Sequence, residues 1–508
     1  MRSIYIRLFL LLCLCPAAYA QLPDQIVLDQ QLDSITSELD DVIDVVEESV
    51  NQEVDAVVDQ LEGATREMDA VADSLESELD GVESALQSLV SVDDQLETQL
   101  RNQDLLPNTK LDEALTKPIA DVLALLPDSL SDVLPILDRT GKTVFVEVKV
   151  EQDWYAVEHE WLLMLDEQSD VNFTALNADI IEQQNFSDLG VRLVRFRVPA
   201  ALDSFDELKK RLPVHLHDQL DRNHIYIPQA GAAEKSASHT QVPLSYACDT
   251  KLKIGMIDTG INTNHPVFAQ SKIKTKNFIE GEIDAPTNHG TAVAGLLVGK
   301  NDQLAPLLPS ANLYAASVFY SRTTQSQGAT MMNLVRALNW MAAEKIAVIN
   351  MSLSGPDNKI LASVMNKLID SGTAIIAAAG NEGPAAPPVY PAVYEKVIAV
   401  TAVDNKQRVY RWANQGAYID FAALGVDVLN AAANSNLVKT SGTSMAAPVV
   451  SALFACELAQ QQVSQKSDVQ KPALHQTVLK KLIERSVDLG KQGRDSVFGY
   501  GLLQVQSK

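Results

Sequence analysis

The chain has 508 residues, of which 46% are hydrophobic and 21% charged, and a formal net charge of −25. That length holds two or three domains and at least one large core, and the composition excludes collagenous, disulfide-scaffold and wholly disordered chains. The charge is uneven: residues 21–100 carry 23 Asp/Glu against one basic residue, Arg66, whereas residues 243–508 carry 24 Lys/Arg against 19 Asp/Glu, and neither part has the basic stripe of a nucleic-acid binder.

At the N-terminus, Arg2 and Arg7 precede an apolar run from Leu8 to Leu14, and Ala18-Tyr19-Ala20 supplies the small-x-small pattern for cleavage after Ala20. The run is well short of the roughly 20 residues that span a bilayer. Residues 1–20 therefore read as a signal peptide. A lipid anchor through Cys13 or Cys15 is disfavoured, because Leu12 and Leu14 stand where a small residue should precede the modified cysteine. Removal of the leader leaves Cys248 and Cys456, which permit one disulfide and imply none, and Cys456 reads as a buried free thiol at the end of an apolar helical pattern. No later segment is an apolar run long enough to span a membrane, so a secreted or periplasmic protein without a transmembrane segment is expected.

Residues 21–104 form an acidic arm. From Leu32 to Leu89 its apolar positions recur every 3.56 residues on average, between the coiled-coil and straight-helix periods. Almost every flanking position is Asp or Glu, and like charges oppose self-pairing at neutral pH. A long helix or helical hairpin is expected, either a solvated spacer or an arm that docks on a basic or apolar partner. Residues 105–152 carry Pro107, Pro118, Pro127 and Pro135 and read as a connector with brief helices.

Residues 153–228 change to a mixed pattern. Strands are expected at Trp161–Leu165, Val191–Val198 and His224–Ile227, and helices at Ala175–Gln184 and Phe205–Leu212. That order suits a small α/β domain with helices on one face of a sheet. His215 and His217 lack Cys or acidic partners at metal-ligand spacing. Residues 229–242, small and polar, read as an exposed, cleavable linker.

In residues 243–508, strands expected at Lys251–Ile257, Asn312–Phe319, Ala347–Leu353, Ala374–Gly380 and Val397–Val403 alternate with helical patterns at Ala329–Lys345 and Ile360–Ser371. Such alternation predicts a parallel sheet covered by helices on both faces, with functional groups at the carboxyl ends of the strands. Asp258-Thr259-Gly260 ends the first strand, Asn288-His289-Gly290-Thr291 opens a helix, and Thr440-Ser441-Gly442-Thr443-Ser444-Met445-Ala446 opens another. Singly each motif is weak. Asp-Thr-Gly also marks aspartic proteases, but those need a second copy that is missing here. The α/β-hydrolase order Ser, acid, His is poorly served, since only His475 lies beyond Ser444.

Together, in the order Asp258, His289, Ser444, with Ala377-Ala-Ala-Gly-Asn381-Glu-Gly383 and Ile349-Asn-Met-Ser-Leu353, the region from about 250 to 503 resembles the subtilisin-like serine proteases, the subtilases. The resemblance implies a subtilisin-like α/β fold and a secreted serine endopeptidase. Ser444 would be the nucleophile, His289 the base, Asp258 its orienting acid and Asn381 an oxyanion donor. It also implies that Ser352, Leu353, Ser354, Gly355, Gln327 and Gly328 pair with an extended protein or peptide substrate, in front of a fairly apolar first pocket. The 153–228 domain would be a propeptide that inhibits until cut away, with Asp221–Pro228 in the active site and self-cleavage between about Ile227 and Val242. The resemblance implies no required cofactor and leaves structural calcium possible, though not supported at the usual loop, where Lys300–Pro306 is short and has one carboxylate, Asp302. Two further readings stay open: a scaffold that uses proteolysis only to mature itself, and an inactive peptide-binding relic, which the complete triad disfavours.

Overall fold

In a computed structural model, the described residues are 132–505 apart from 167–170, 230–232, 235–246, 324–325 and 465–470. The expected signal peptide, acidic arm and most of the connector and linker lie outside them. No described helix is long and apolar enough to cross a membrane.

The first sheet is antiparallel and begins inside the expected connector. β1 (Val133–Leu137) and β2 (Thr143–Lys149) make a hairpin in a stretch read from sequence as connector with brief helices. β2 pairs with β3 (Tyr155–Leu165), which also pairs with β5 (Val191–Arg197) and β6 (Leu220–Pro228); β4 (Asp179–Phe186) closes the far side against β5. The helix expected at Ala175–Gln184 is therefore corrected to one short 3-10 turn, Phe173–Leu176, followed by β4. Phe186 is buried while Asp179, Ile180 and Ile181 are exposed, and pairing with β5 supplies backbone partners that the residue pattern alone did not reveal. The second helix is α1 (Phe205–Lys209), begun by Ser204, whose Oγ accepts from Glu207 N. Its Leu208 joins Trp161, Leu163, Phe196 and Leu220 in a core of this part alone.

Beyond β7 (Ala233–Glu234) the chain enters a parallel sheet. Its strands are β8 (Lys253–Asp258), β9 (Lys272–Asn277), β10 (Asn312–Ser317), β13 (Val348–Met351), β15 (Ala374–Ala378), β16 (Ile398–Val403) and β17 (Ile419–Leu424), in the order β17-β16-β15-β13-β8-β10-β9. The central strands are buried throughout, which is why they read as near-continuous apolar runs. α2 (Asn288–Val298) and α5 (Thr443–Ser464) pack in the core on one face with α6 (Lys471–Arg485); α3 (Met331–Ala343) and α4 (Lys359–Asp370) pack on the other. Shorter strands fringe the carboxyl ends: β11 (Tyr320–Ser321), β12 (Gln327–Thr330), β14 (Leu353–Ser354), β18 (Val428–Ala431) and β19 (Leu437–Thr440).

Cys248 and Cys456 form a disulfide, with Cα atoms 5.9 Å apart. This corrects the reading of Cys456 as a free thiol. The apolar setting was correct, but the partner lies 208 residues away and only the fold brings it to α5.

Candidate active site

β8 ends at Asp258, and α2 starts beside that strand end with His289 in its first turn. Asp258 is fully buried, and its Oδ1 accepts from Thr259 N at 2.6 Å and lies 2.7 Å from His289 Nδ1. The helix can come this close because residue 290 is glycine: a Cβ there would lie 2.5 Å from Gly260 O and 2.6 Å from Thr259 O. Burial works against a protonated His289 ring, but the Asp258 carboxylate and its hydrogen bond outweigh it and hold the pKa above the ordinary histidine value. The Gln229 main chain adds in the same direction.

Ser444 stands in the first turn of α5, fully buried, and its Oγ has no hydrogen-bond partner among the described residues. A buried hydroxyl left unpaired costs about 1–3 kcal/mol and is tolerated where chemistry needs it free. Its main chain is braced by a relay of side chains: Ser451 Oγ donates to Asn350 Oδ1 at 3.0 Å, Asn350 Nδ2 to Ser352 Oγ at 3.0 Å, and Ser352 Oγ to Ser444 O at 3.2 Å.

Asn381 follows a turn at Gly380, whose φ of +117° and tight contact with the Asn414 amide exclude a side chain. Asn381 Oδ1 accepts from Thr443 N at 2.9 Å and from Thr443 Oγ1 at 3.0 Å. Those two bonds fix the amide so that Nδ2 points the other way, and it donates to Gln229 O at 3.3 Å. Thr443 is thus a positioning residue that lay inside the quoted motif without being singled out for a role.

The chain's own segment occupies the cleft. β6 runs antiparallel between two strands, pairing Ile225 and Tyr226 with Thr330 and Ala329 of β12, and Ile227 and Pro228 with Ser354 and Leu353 of β14. Gln229 N then donates to Ser352 O at 3.0 Å. Tyr226 is fully buried, its ring stacked over Gly355, where a Cβ would lie 2.4 Å from Cδ1, and its hydroxyl donates to Pro356 O at 3.0 Å. Downstream, Ala233 and Glu234 pair with Thr440 and Lys439 of β19, so strand pairing continues on the far side of Gln229. The structure therefore brings Asp258 and His289 together, places Asn381 on Gln229, and places Ser352, Leu353, Ser354 and Gly355 along the segment. Gly328 lies on the β12 edge opposite Ile227 by register, and Gln327 pairs with Ser321 instead, outside the direct contact.

The first pocket differs from the apolar one expected. Gln229 Nε2 donates to Glu382 Oε1 at 2.8 Å and to Ser354 Oγ. Neither Glu382 nor Gln229 was singled out from sequence, because their meeting depends on the register of β6.

A model of the Subtilase family matches residues 249–501, a span that holds Asp258, His289, Asn381 and Ser444. The chain is 31% identical to subtilisin DY of Bacillus licheniformis over 265 residues, covering 50% of this chain and 90% of that one. This chain belongs to the subtilase family. It is also 31% identical over 260 residues to the minor extracellular protease Epr of Bacillus subtilis, a match that covers 51% of this chain but only 38% of that protein. The crystal structure of fervidolysin from Fervidobacterium pennivorans, described as a keratinolytic enzyme related to subtilisin, superposes with a TM-score of 0.57 at 18% identity, over 75% of this chain and 64% of that one, and shows the shared fold. In the loop after the helix that carries His289, Asn301 Oδ1 accepts from Gln303 N and Leu304 N, and Asp302 is the single carboxylate between Lys300 and Pro306.

Proposed function

We propose that this subtilase is an exported serine endopeptidase, made as a zymogen that cuts its own chain between Gln229 and Ala230. One observation carries the reading: Gln229 O lies on Asn381 Nδ2 while Gln229 N is held by Ser352 O, the pose of a residue whose carbonyl is about to be attacked.

Ser444 Oγ adds to the Gln229 carbonyl carbon as His289 Nε2 takes the hydroxyl proton, and Asp258 stabilises the imidazolium. Negative charge moves to Gln229 O, where Asn381 Nδ2, the Ser444 N–H and the start of α5 meet it. Collapse breaks the Gln229–Ala230 bond. His289 returns its proton to the leaving Ala230 amine, and water hydrolyses the Gln229 ester by the same steps reversed. The segment that ends at Gln229 then remains as a product in the cleft and inhibits until it leaves. The Glu382 and Ser354 acceptors favour an amide or cationic side chain before the cleaved bond, and protein or peptide segments with that character are the proposed substrates.

The test is expression of the full chain with its leader, alongside a Ser444→Ala variant, with mass-spectrometric mapping of termini and labelling by a fluorophosphonate. Wild type should yield a new N-terminus at Ala230 and label on Ser444, whereas the variant should stay uncut. Migration of both at one size, with the 229–230 bond intact, would overturn self-processing.

A further inference from the structure

The edge of the cleft carries a polar pair that the chemistry above does not use. Tyr320 of β11 is directly opposite Gly328 of β12, and Arg322 follows two residues after Tyr320, on the same face. By register that face continues into Ile225 and Ile227 of the bound segment. In the uncut chain its polar groups are met by Glu147 of the hairpin, while the Phe145 ring of the same strand packs edge-on against Tyr320 with centroids 5.3 Å apart. Glu147 Oε1 accepts from Tyr320 Oη at 2.8 Å, and Oε2 accepts from Arg322 Nε at 2.7 Å and lies 2.5 Å from Nη2. The Tyr155 ring packs 4.7 Å from the guanidinium. The Glu147 and Arg322 side chains are 0% and 3% exposed, so the pair is out of water.

Glu147 and Tyr155 both belong to the segment that leaves on maturation. Among the described residues, Arg322's ion-pair partner is Glu147, so departure strips the guanidinium of its carboxylate and its aromatic cover together. What remains is a phenol and a planar fork of donors aimed at one spot beside the substrate path. The spot is open because residue 328 is glycine: a Cβ there would lie 2.8 Å from Arg322 Cδ, 2.9 Å from Ile225 Cγ2 and 3.0 Å from Tyr320 Oη. Ile225 is the fifth residue before the Gln229–Ala230 bond, and its Cγ2 already reaches this point. A glutamate in its place would carry a carboxylate past that point toward the two donors.

We propose that Tyr320 and Arg322 form a subsite for a carboxylate side chain five residues before the cleaved bond, filled by Glu147 in the zymogen and by an acidic substrate residue in the mature enzyme. This rests on the protease reading above and deepens it. The substrate class is accordingly protein segments with Asp or Glu at the fifth position and an amide or cationic residue at the first.

The test uses the self-processed full-length product and fluorogenic peptides with the sequence His-X-Tyr-Ile-Pro-Gln before the scissile bond, X being Ile, Glu, Gln or Lys. Glu should exceed Gln in kcat/KM by about fivefold, the size of a partly exposed ion pair. Lys should fall below both, the advantage should sit in KM, and it should shrink at about 1 M salt. A Glu147→Leu/Arg322→Leu double variant, which removes both halves of the pair so that the zymogen interface stays matched, should bring the Glu-to-Gln ratio to one. Equal rates for Glu and Gln in the wild type, an unchanged ratio in the double variant, or an equal gain from Glu placed at the third position would each overturn the subsite. Failure of every peptide to be cut would instead overturn the protease reading. If the double variant is not processed, the wild-type series at low and high salt decides the question.

Discussion

Ser444, His289 and Asn381 each depend on a neighbour that sets their state. Asn381 is aimed by Thr443, so removing its amide strips the oxyanion of a donor without disturbing substrate pairing at Ser352. Asn381→Ala should lower kcat by about 10²–10³ with little change in KM, a range known from a subtilisin and not measured on this chain. Steady-state kinetics of the processed enzyme checks this. For His289 the sign follows from its role as base: only the neutral ring accepts the Ser444 proton, so kcat/KM rises with pH through the His289 pKa. Asp258 holds that pKa above the ordinary histidine value. The acid limb should therefore lie on the alkaline side of an unperturbed histidine, and the residual activity of Asp258→Asn should show its limb shifted to lower pH. A pH–rate profile of both forms is the measurement, and an unshifted limb would separate Asp258 from the base.

At the scale of elements, β6 carries the relation between the two sheets. It pairs with β3 at the edge of the N-terminal sheet and at the same time with β12 and β14 of the catalytic part. Its entry is fastened at the start of α4, where Asp221 Oδ2 accepts from Lys359 N at 2.8 Å, an anion at a helix N-terminus. Asn358 caps the same helix and also donates from Nδ2 to Arg222 O at 3.1 Å. A cluster of ion pairs flanks the strand: Arg195 lies 2.5 Å from Glu280, and Arg336 lies 2.5 Å from Glu182. The deepest anchor is Tyr226. Tyr226→Ala removes a large buried ring beside Gly355 and should weaken the hold of the cleaved segment by about 3 kcal/mol or more, roughly a hundredfold in dissociation constant. Peptide hydrolysis should then appear much sooner after self-cleavage than in the wild type, and an unchanged lag would show that the segment is held elsewhere.

At the scale of the whole molecule, the disulfide ties the stretch just before β8 to α5, the helix that carries Ser444 in its first turn. Both cysteines lie after Gln229, so the proposed cleavage leaves this cross-link in the catalytic part. Replacing both with serine should cost about 2–5 kcal/mol of stability and lower the melting temperature of the processed enzyme, read by calorimetry with and without reductant. The sequence by itself determined the parallel sheet after Lys251 and its family, because strands buried on both faces must be apolar throughout and because Asp258, His289 and Ser444 sit in motifs that demand a strand end or a helix start. It also showed a mixed domain ahead of that sheet from strand patterns interleaved with two helical ones, of which the helix at Phe205 formed and the one at Ala175–Gln184 became a 3-10 turn and β4. Tertiary structure alone decided the rest, and the reason in each case is long-range pairing. β4 is a strand because β5 supplies its hydrogen bonds, Cys456 is bonded because the fold brings Cys248 to it, and Gln229 is the residue at Asn381 because the register of β6 against β12 and β14 counts it there.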